Sequence, residues 1–129
     1  ARVRKAWEMC GAKVSELTAE QHDEIFAAVS HLPHLLSFAL VHDLAQRDNR
    51  DVLLSFAASG FRDFTRIAAS SPEMWRDICL ANRDALQKEL QLYIAELNQI
   101  SAALATSDAN QLERTFHKAR EVRSTWTEK

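Results

Sequence analysis

Two glycines and two prolines are all that this chain of 129 residues has for making tight turns. Sheets need frequent turns, and turns draw on these residues. Gly11, Pro33, Gly60 and Pro72 are too few to punctuate a set of strands. The rest is rich in Ala, Leu, Glu, Gln and Arg, which favour helix. The sequence therefore predicts an all-α fold. The same scarcity bears on function: neither G-x-G-x-x-G nor G-x-x-x-x-G-K-S/T occurs, so there is no glycine-rich phosphate loop. A nucleotide, if one is used, must be held mainly by another domain or chain.

The length fits a single domain over residues 1–129, large enough to bury a core. An apolar share of 47% and a charged share of 26% are those of an ordinary globular protein. A net charge of -2 argues against a broad nucleic-acid or anionic-membrane surface. No apolar run seems to reach bilayer-spanning length by eye, and Ala1 to Lys13 does not resemble a signal peptide. Cys10 and Cys79 make no disulfide framework, which predicts free thiols in a reducing cytoplasm. A start in mid-helix without methionine suggests a fragment of a longer protein.

Along the chain, Arg2 to Gly11 reads as a short helix stopped at Gly11, with Trp7 as a packing residue. Thr18-Ala19-Glu20-Gln21 fits a capping box. Ile25, Phe26, Val29, Leu32, Leu36 and Leu40 then form an apolar stripe at helical period. That helix is expected to kink at Pro33 and stop near Gln46. Asp51 is expected to cap a helix over Val52 to Ala58, Ser59-Gly60 to break it, and Phe61 to Ala69 to form the next. Ser71-Pro72-Glu73 is a strong helix start. A long helix follows to about Thr106, with a bend at Asn82. Leu86, Leu90, Tyr93, Leu97, Ile100 and Leu104 make a heptad-like seam on it. The seam fits an intramolecular contact and a pairing between subunits equally well. Ser107-Asp108 caps a last helix whose apolar face is Leu112, Phe116, Ala119, Val122 and Trp126.

Two stretches are costly as mere packing. Ser30-His31-Leu32-Pro33-His34 sets two imidazoles three residues apart around a proline, so they lie at neighbouring positions of one helix face. Asp23 and His42 fall close to the same line. A metal site is disfavoured, since helical zinc pairs use i, i+4 spacing and no Cys or Glu partner is evident. A hydrogen-bonded structural pair and imidazoles facing a polar small molecule both remain open. In Gly60-Phe61-Arg62-Asp63-Phe64-Thr65-Arg66, Arg62 and Arg66 are at i, i+4 and can point to one side. Gly60 permits close backbone approach, and the helix start after it offers N–H groups to an anion. Two guanidiniums suit carboxylates. An Asp63–Arg66 surface pair explains the spacing equally well, at no more than about 1 kcal/mol.

Asp23, the Ser30–His34 stretch, Gly60-Phe61-Arg62-Asp63-Phe64-Thr65-Arg66-Ile67-Ala68, Ser71-Pro72-Glu73-Met74-Trp75 and Asn82 occur in that order. As an ordered set they resemble the C-terminal helical domain of prephenate dehydrogenases and their arogenate and cyclohexadienyl relatives. The resemblance runs from about Trp7 to the end and is concentrated between His22 and Asn82. It implies an N-terminal Rossmann domain that binds NAD or NADP, and a helical domain that forms most of a homodimer interface and closes over prephenate or arogenate. The reaction it implies is oxidative decarboxylation. The principal catalytic histidine would lie in the Rossmann domain, so no catalytic residue is expected here, and the chain alone is expected to be inactive. By resemblance, Arg66 grips a substrate carboxylate and Arg62 lies near the same pocket. His34 lines the pocket with His31 beside it, and Ser59 and Gly60 form a loop whose backbone touches substrate. Trp75 stands at the pocket edge, and Asp23 at the domain closure, where a structural role is equally open. Prephenate is a dianion, which suits two arginines. The rival is a non-catalytic helical dimerisation or interaction module with Arg62 and Arg66 as surface charges.

Overall fold

The computed structural model describes residues 1–127, and among them there are helices and no strands. The chain divides into two compact units, Ala1–Gln87 and the part from Lys88 onward.

The first unit opens with α1, Arg2–Met9. Gly11 stops it at φ +82, the left-handed conformation that favours glycine. The Gly11 N–H donates to the Glu8 carbonyl and the Ala12 N–H to the Trp7 carbonyl, both at 3.0 Å, which satisfies two orphan acceptors of the helix end. Next, α2 covers Ala19–Phe26. The Gln21 N–H donates to Thr18 Oγ1 and the Thr18 N–H to Gln21 Oε1, each at 3.1 Å, so the expected capping box is made in both directions.

At the expected kink the helix does something more specific. Ala27–His31 is one π turn, and α3 follows as Leu32–Ala45 with Gln46 as its C-cap. The Leu32 N–H reaches back to the Ala27 carbonyl, five residues away. Pro33 has no N–H, and its ring crowds the carbonyl four residues before it. A widened turn just ahead of a proline meets both constraints without ending the helix.

Ala19–Ala45 is thereby one continuous helix of 27 residues with a mean hydropathy of 1.5 in its most apolar window. By length and composition alone this is enough to cross a bilayer, which corrects the expectation that no run comes close. Polar Ser30, His31, Pro33 and His34 inside it had hidden the length of the run. In the first unit this helix is a packing axis. The α3 segment contacts α4 (Arg50–Ser55), α5 (Ser59–Thr65) and the 3₁₀ turn Arg66–Ala69. Ala27, Leu32 and Ser37 are buried along it. Ser37 Oγ donates to the Phe64 carbonyl at 3.0 Å, tying α3 to the end of α5.

Three element boundaries differ from expectation. Asn49, not Asp51, is the N-cap of α4, and Asp51 sits in its first turn, where a carboxylate favours the helix dipole. The break falls at Phe56 to Ala58, with Ala58 extended at φ -125, so Ser59 and Gly60 begin α5 instead of interrupting a helix. A glycine in a first turn breaks nothing, because its N–H has no intrahelical partner to lose. At Arg66 the α geometry tightens to 3₁₀. Thr65 Oγ1 donates to the Phe61 carbonyl at 2.6 Å, a side-chain bond that competes with the helix ladder at that point.

Ser71 caps α6, Pro72–Ala81, by accepting from the Met74 N–H at 3.3 Å. Asn82 does more than bend the long helix. At φ -116, ψ 36 it ends α6, and α7 begins anew at Arg83 and runs to Ala105.

The second unit holds the rest of α7 and α8, Ala109–Thr125. Ser107 takes φ +53 in the turn, and Asp108 caps α8 by accepting from the Gln111 N–H at 3.0 Å. Ala103 is buried, whereas Leu92, Leu97 and Leu104 on α7, with Phe116, Val122 and Trp126 around α8, are exposed. In a single chain, part of the heptad-like seam and most of the α8 apolar face meet no covering side chain.

Candidate functional site

The π turn and the start of α3 deliver the two histidines to α6. The His34 imidazole stacks on the Trp75 indole with 3.7 Å between centroids and 16° between planes. His31 meets the same indole edge-on, at 6.1 Å and 75°. Ser71-Pro72 fixes where α6 starts and hence where Trp75 stands. His34 Nδ1 lies 2.8 Å from the Ser30 carbonyl, so it carries the proton and donates, leaving Nε2 with a lone pair in the neutral ring. Trp75 Nε1 is buried and has no acceptor among the described residues. Of the residues singled out in the sequence, His31, His34 and Trp75 thus form one cluster.

Asp23 joins that cluster through its backbone. The Asn82 amide donates to the Asp23 carbonyl at 2.8 Å and also meets His31 Nδ1 at 3.3 Å. The Asp23 carboxylate turns to His22 Nδ1 at 3.2 Å, and the His22 ring packs on Phe26 with 4.5 Å between centroids. His42 takes no part, since its exposed ring accepts from Gln46 Nε2 at 2.9 Å. Partial burial lowers the His31 pKa below its ordinary 6.5, and His22 and His34 push it the same way, against a smaller opposing pull from Asp23.

Arg62 and Arg66 line a second feature, an open cleft of about 420 Å³ shared with Ala57, Ala58, Phe61, Thr65 and Ala69. Their i, i+4 spacing survives the switch from α to 3₁₀ geometry well enough to keep both on one side. The Asp63–Arg66 pair is not formed, and among the described residues neither arginine is in an ion pair. The cleft therefore carries two uncompensated positive charges beside an aromatic wall, a setting for a carboxylate-bearing ligand. Ser59 and Gly60 follow Ala58 on the exposed start of α5. The free N–H groups of that start belong to residues 59–61, because the Arg62 N–H already donates to the Ala58 carbonyl at 3.0 Å. The structure thus resolves the candidate residues into a histidine–tryptophan cluster and an arginine cleft, with α3 packed against the elements that carry the arginines.

Sequence reasoning undervalued Asn82 and His22. Asn82 could be read as a helix bend, but nothing local says that its amide reaches residues 59 and 51 positions away.

The profile of the family described as "Prephenate dehydrogenase, dimerization domain" matches residues 18–118. The chain belongs to this family. The dimerization-domain match begins at Thr18, the N-cap of α2, and so takes in every candidate residue from Asp23 to Asn82. A prephenate dehydrogenase from Bacillus subtilis is 41% identical over 109 residues, 84% of this chain and 29% of the relative. A cyclohexadienyl dehydrogenase from Zymomonas mobilis is 35% identical over 119 residues, 91% of this chain and 41% of the relative. The crystal structure of prephenate dehydrogenase from A. aeolicus, in complex with hydroxyphenyl propionate and NAD+, superposes with a TM-score of 0.88 at 35% identity, covering 95% of this chain and 43% of that one. Synechocystis arogenate dehydrogenase gives 0.86 at 30% identity, covering 98% of this chain and 46% of that one. The chain spans less than half the length of these relatives.

Proposed function

We propose that this chain is the helical, substrate-binding and dimerising domain of a prephenate or arogenate dehydrogenase. The whole protein would be a cytoplasmic oxidoreductase of tyrosine biosynthesis. The observation that carries this reading is the family match over residues 18–118. Both compact units act together in it as one domain, with the substrate residues in the first. The exposed apolar residues of α7 and α8 support a homodimer, since a second copy would cover them.

The reaction is the oxidative decarboxylation of prephenate to 4-hydroxyphenylpyruvate, or of arogenate to tyrosine. A nicotinamide cofactor, NAD or NADP, supplies the hydride acceptor when bound. No stretch of this chain fits its pyrophosphate, because no glycine-rich turn precedes a helix here. We therefore assign the cofactor mainly to a part of the protein outside this chain, and the same holds for the principal catalytic histidine.

What remains for these residues is to bind and orient. Arg66, with Arg62 beside it, holds a substrate carboxylate. Phe61 and Thr65 shape that cleft. His34, held flat on Trp75, and His31 form a wall that limits how the ring can lie. Ser59 and Gly60 offer backbone at the cleft mouth, and Asp23 sits where the domains close.

The test is Arg66→Ala in the full-length enzyme. The KM for prephenate should rise by about tenfold or more, equivalent to about 1.4 kcal/mol, while the KM for the nicotinamide cofactor stays unchanged. An equal rise in both would overturn the carboxylate role.

A further inference from the structure

Asn82 ends α6, yet its side chain works on α2 and the π turn. Its Nδ2 amino group lies 2.8 Å from the Asp23 carbonyl and 3.3 Å from His31 Nδ1. A carbonyl oxygen only accepts, so the bond to Asp23 fixes which end of the amide faces both partners. An amino group has donors and no acceptor. His31 Nδ1 must therefore hold the lone pair, and its proton lies on Nε2. His34 is the reverse, because its Nδ1 donates to the Ser30 carbonyl at 2.8 Å. The two imidazoles that flank Trp75 are held in opposite tautomers.

We propose that Asn82 is a positioning residue of the candidate site: it holds His31 in the Nε2–H form, so that the histidine pair offers a ligand one donor and one acceptor. The tautomer assignment stands on the geometry alone. Its effect on a ligand rests on the reading of His31 and His34 as a wall of the substrate pocket. A donor facing Nδ1 also opposes protonation of the ring, in the same direction as the partial burial of His31. The titratable groups facing His31 are His22 and Asp23 on α2 and His34 on α3, while Trp75 on α6 adds no charge.

The ¹⁵N–¹H imidazole correlations of the labelled 129-residue chain, followed with pH, test this. Neutral His31 in the native chain should show a bare Nδ1 and a protonated Nε2, with coupling across the bond from the Asn82 amide. Asn82→Asp should place the proton on Nδ1 and raise the His31 pKa by about one unit, a tenfold change in proton affinity. Asn82→Ala should average the tautomers and raise the pKa less, with His34 unaltered in both variants. A native Nδ1–H, or an unchanged His31 in both variants, overturns the proposal. If a variant does not fold, the native spectrum still decides the tautomer. In the full-length enzyme, Asn82→Ala should raise the KM for prephenate more than it lowers kcat. If the tautomer changes as described and the KM does not move, the ligand half is overturned. In that case the placing of His31 in the pocket fails and Asn82 keeps only its hold on the ring.

Discussion

His34 and Trp75 lie face to face, 3.7 Å apart, although they stand 41 residues apart in sequence. One is placed by the turn that opens α3 and the other by the Ser-Pro start of α6. Stacked aromatic pairs add about 0.5–1.5 kcal/mol beyond the area they bury. A double-mutant cycle of His34→Leu and Trp75→Leu, read from urea midpoints, should return a coupling in that range. A coupling of zero would mean that the rings are merely adjacent.

Ser37 is fully buried and donates to a carbonyl at the C-terminal end of α5, where helix carbonyls lack intrahelical partners. Ser37→Ala leaves that oxygen without its donor, at a cost of about 1–3 kcal/mol. The same bond holds the end of α5 next to Arg66, so the variant should also weaken carboxylate binding in the full-length enzyme. Denaturant unfolding checks the first effect and prephenate KM the second.

Gly60 lies inside α5, and an added methyl group would meet nothing within 4 Å. Gly60→Ala should therefore stabilise the isolated chain, by about 0.5–1 kcal/mol, through reduced freedom of the unfolded state. If ligand backbone contact needs this glycine bare, the same variant should bind prephenate more weakly. Stability up with affinity unchanged would remove Gly60 from the site.

His31 makes stability depend on pH in a defined direction. Its folded pKa is lowered from 6.5, chiefly by partial burial. Between the folded pKa and 6.5 the unfolded chain takes up a proton that the native chain refuses. Its contribution is fully present above 6.5 and is lost as pH falls toward the folded value. Urea midpoints should fall over that interval, and His31→Gln should flatten the fall. An equal fall in both proteins would assign the effect to another group.

Helix content, the capping box at Thr18, the stop at Gly11 and the start at Ser71-Pro72 were all legible in the sequence. Each depends on contacts within about four residues. The ordered motifs also pointed to the right family. The boundaries around α4 and α5 were not legible, because Ser59-Gly60 reads equally as a break and as a helix start. The π turn was misjudged as a simple kink, since a proline announces a disturbed ladder without saying how it is resolved. The role of Asn82 was invisible for a different reason: its partners on α2 and the π turn are fixed by packing, and no local pattern encodes them.

The π turn also sets a phase. Each residue advances an α-helix by about 100°, so the single extra residue in Ala27–His31 decides which way everything after it faces. Deleting one residue there would let the helix close up as regular α, with its caps and most of its packing residues intact. The imidazole of His34 would then be carried about a quarter-turn away from Trp75. In relatives of this chain, a length change at this point would redirect the pocket wall without touching any residue that lines it.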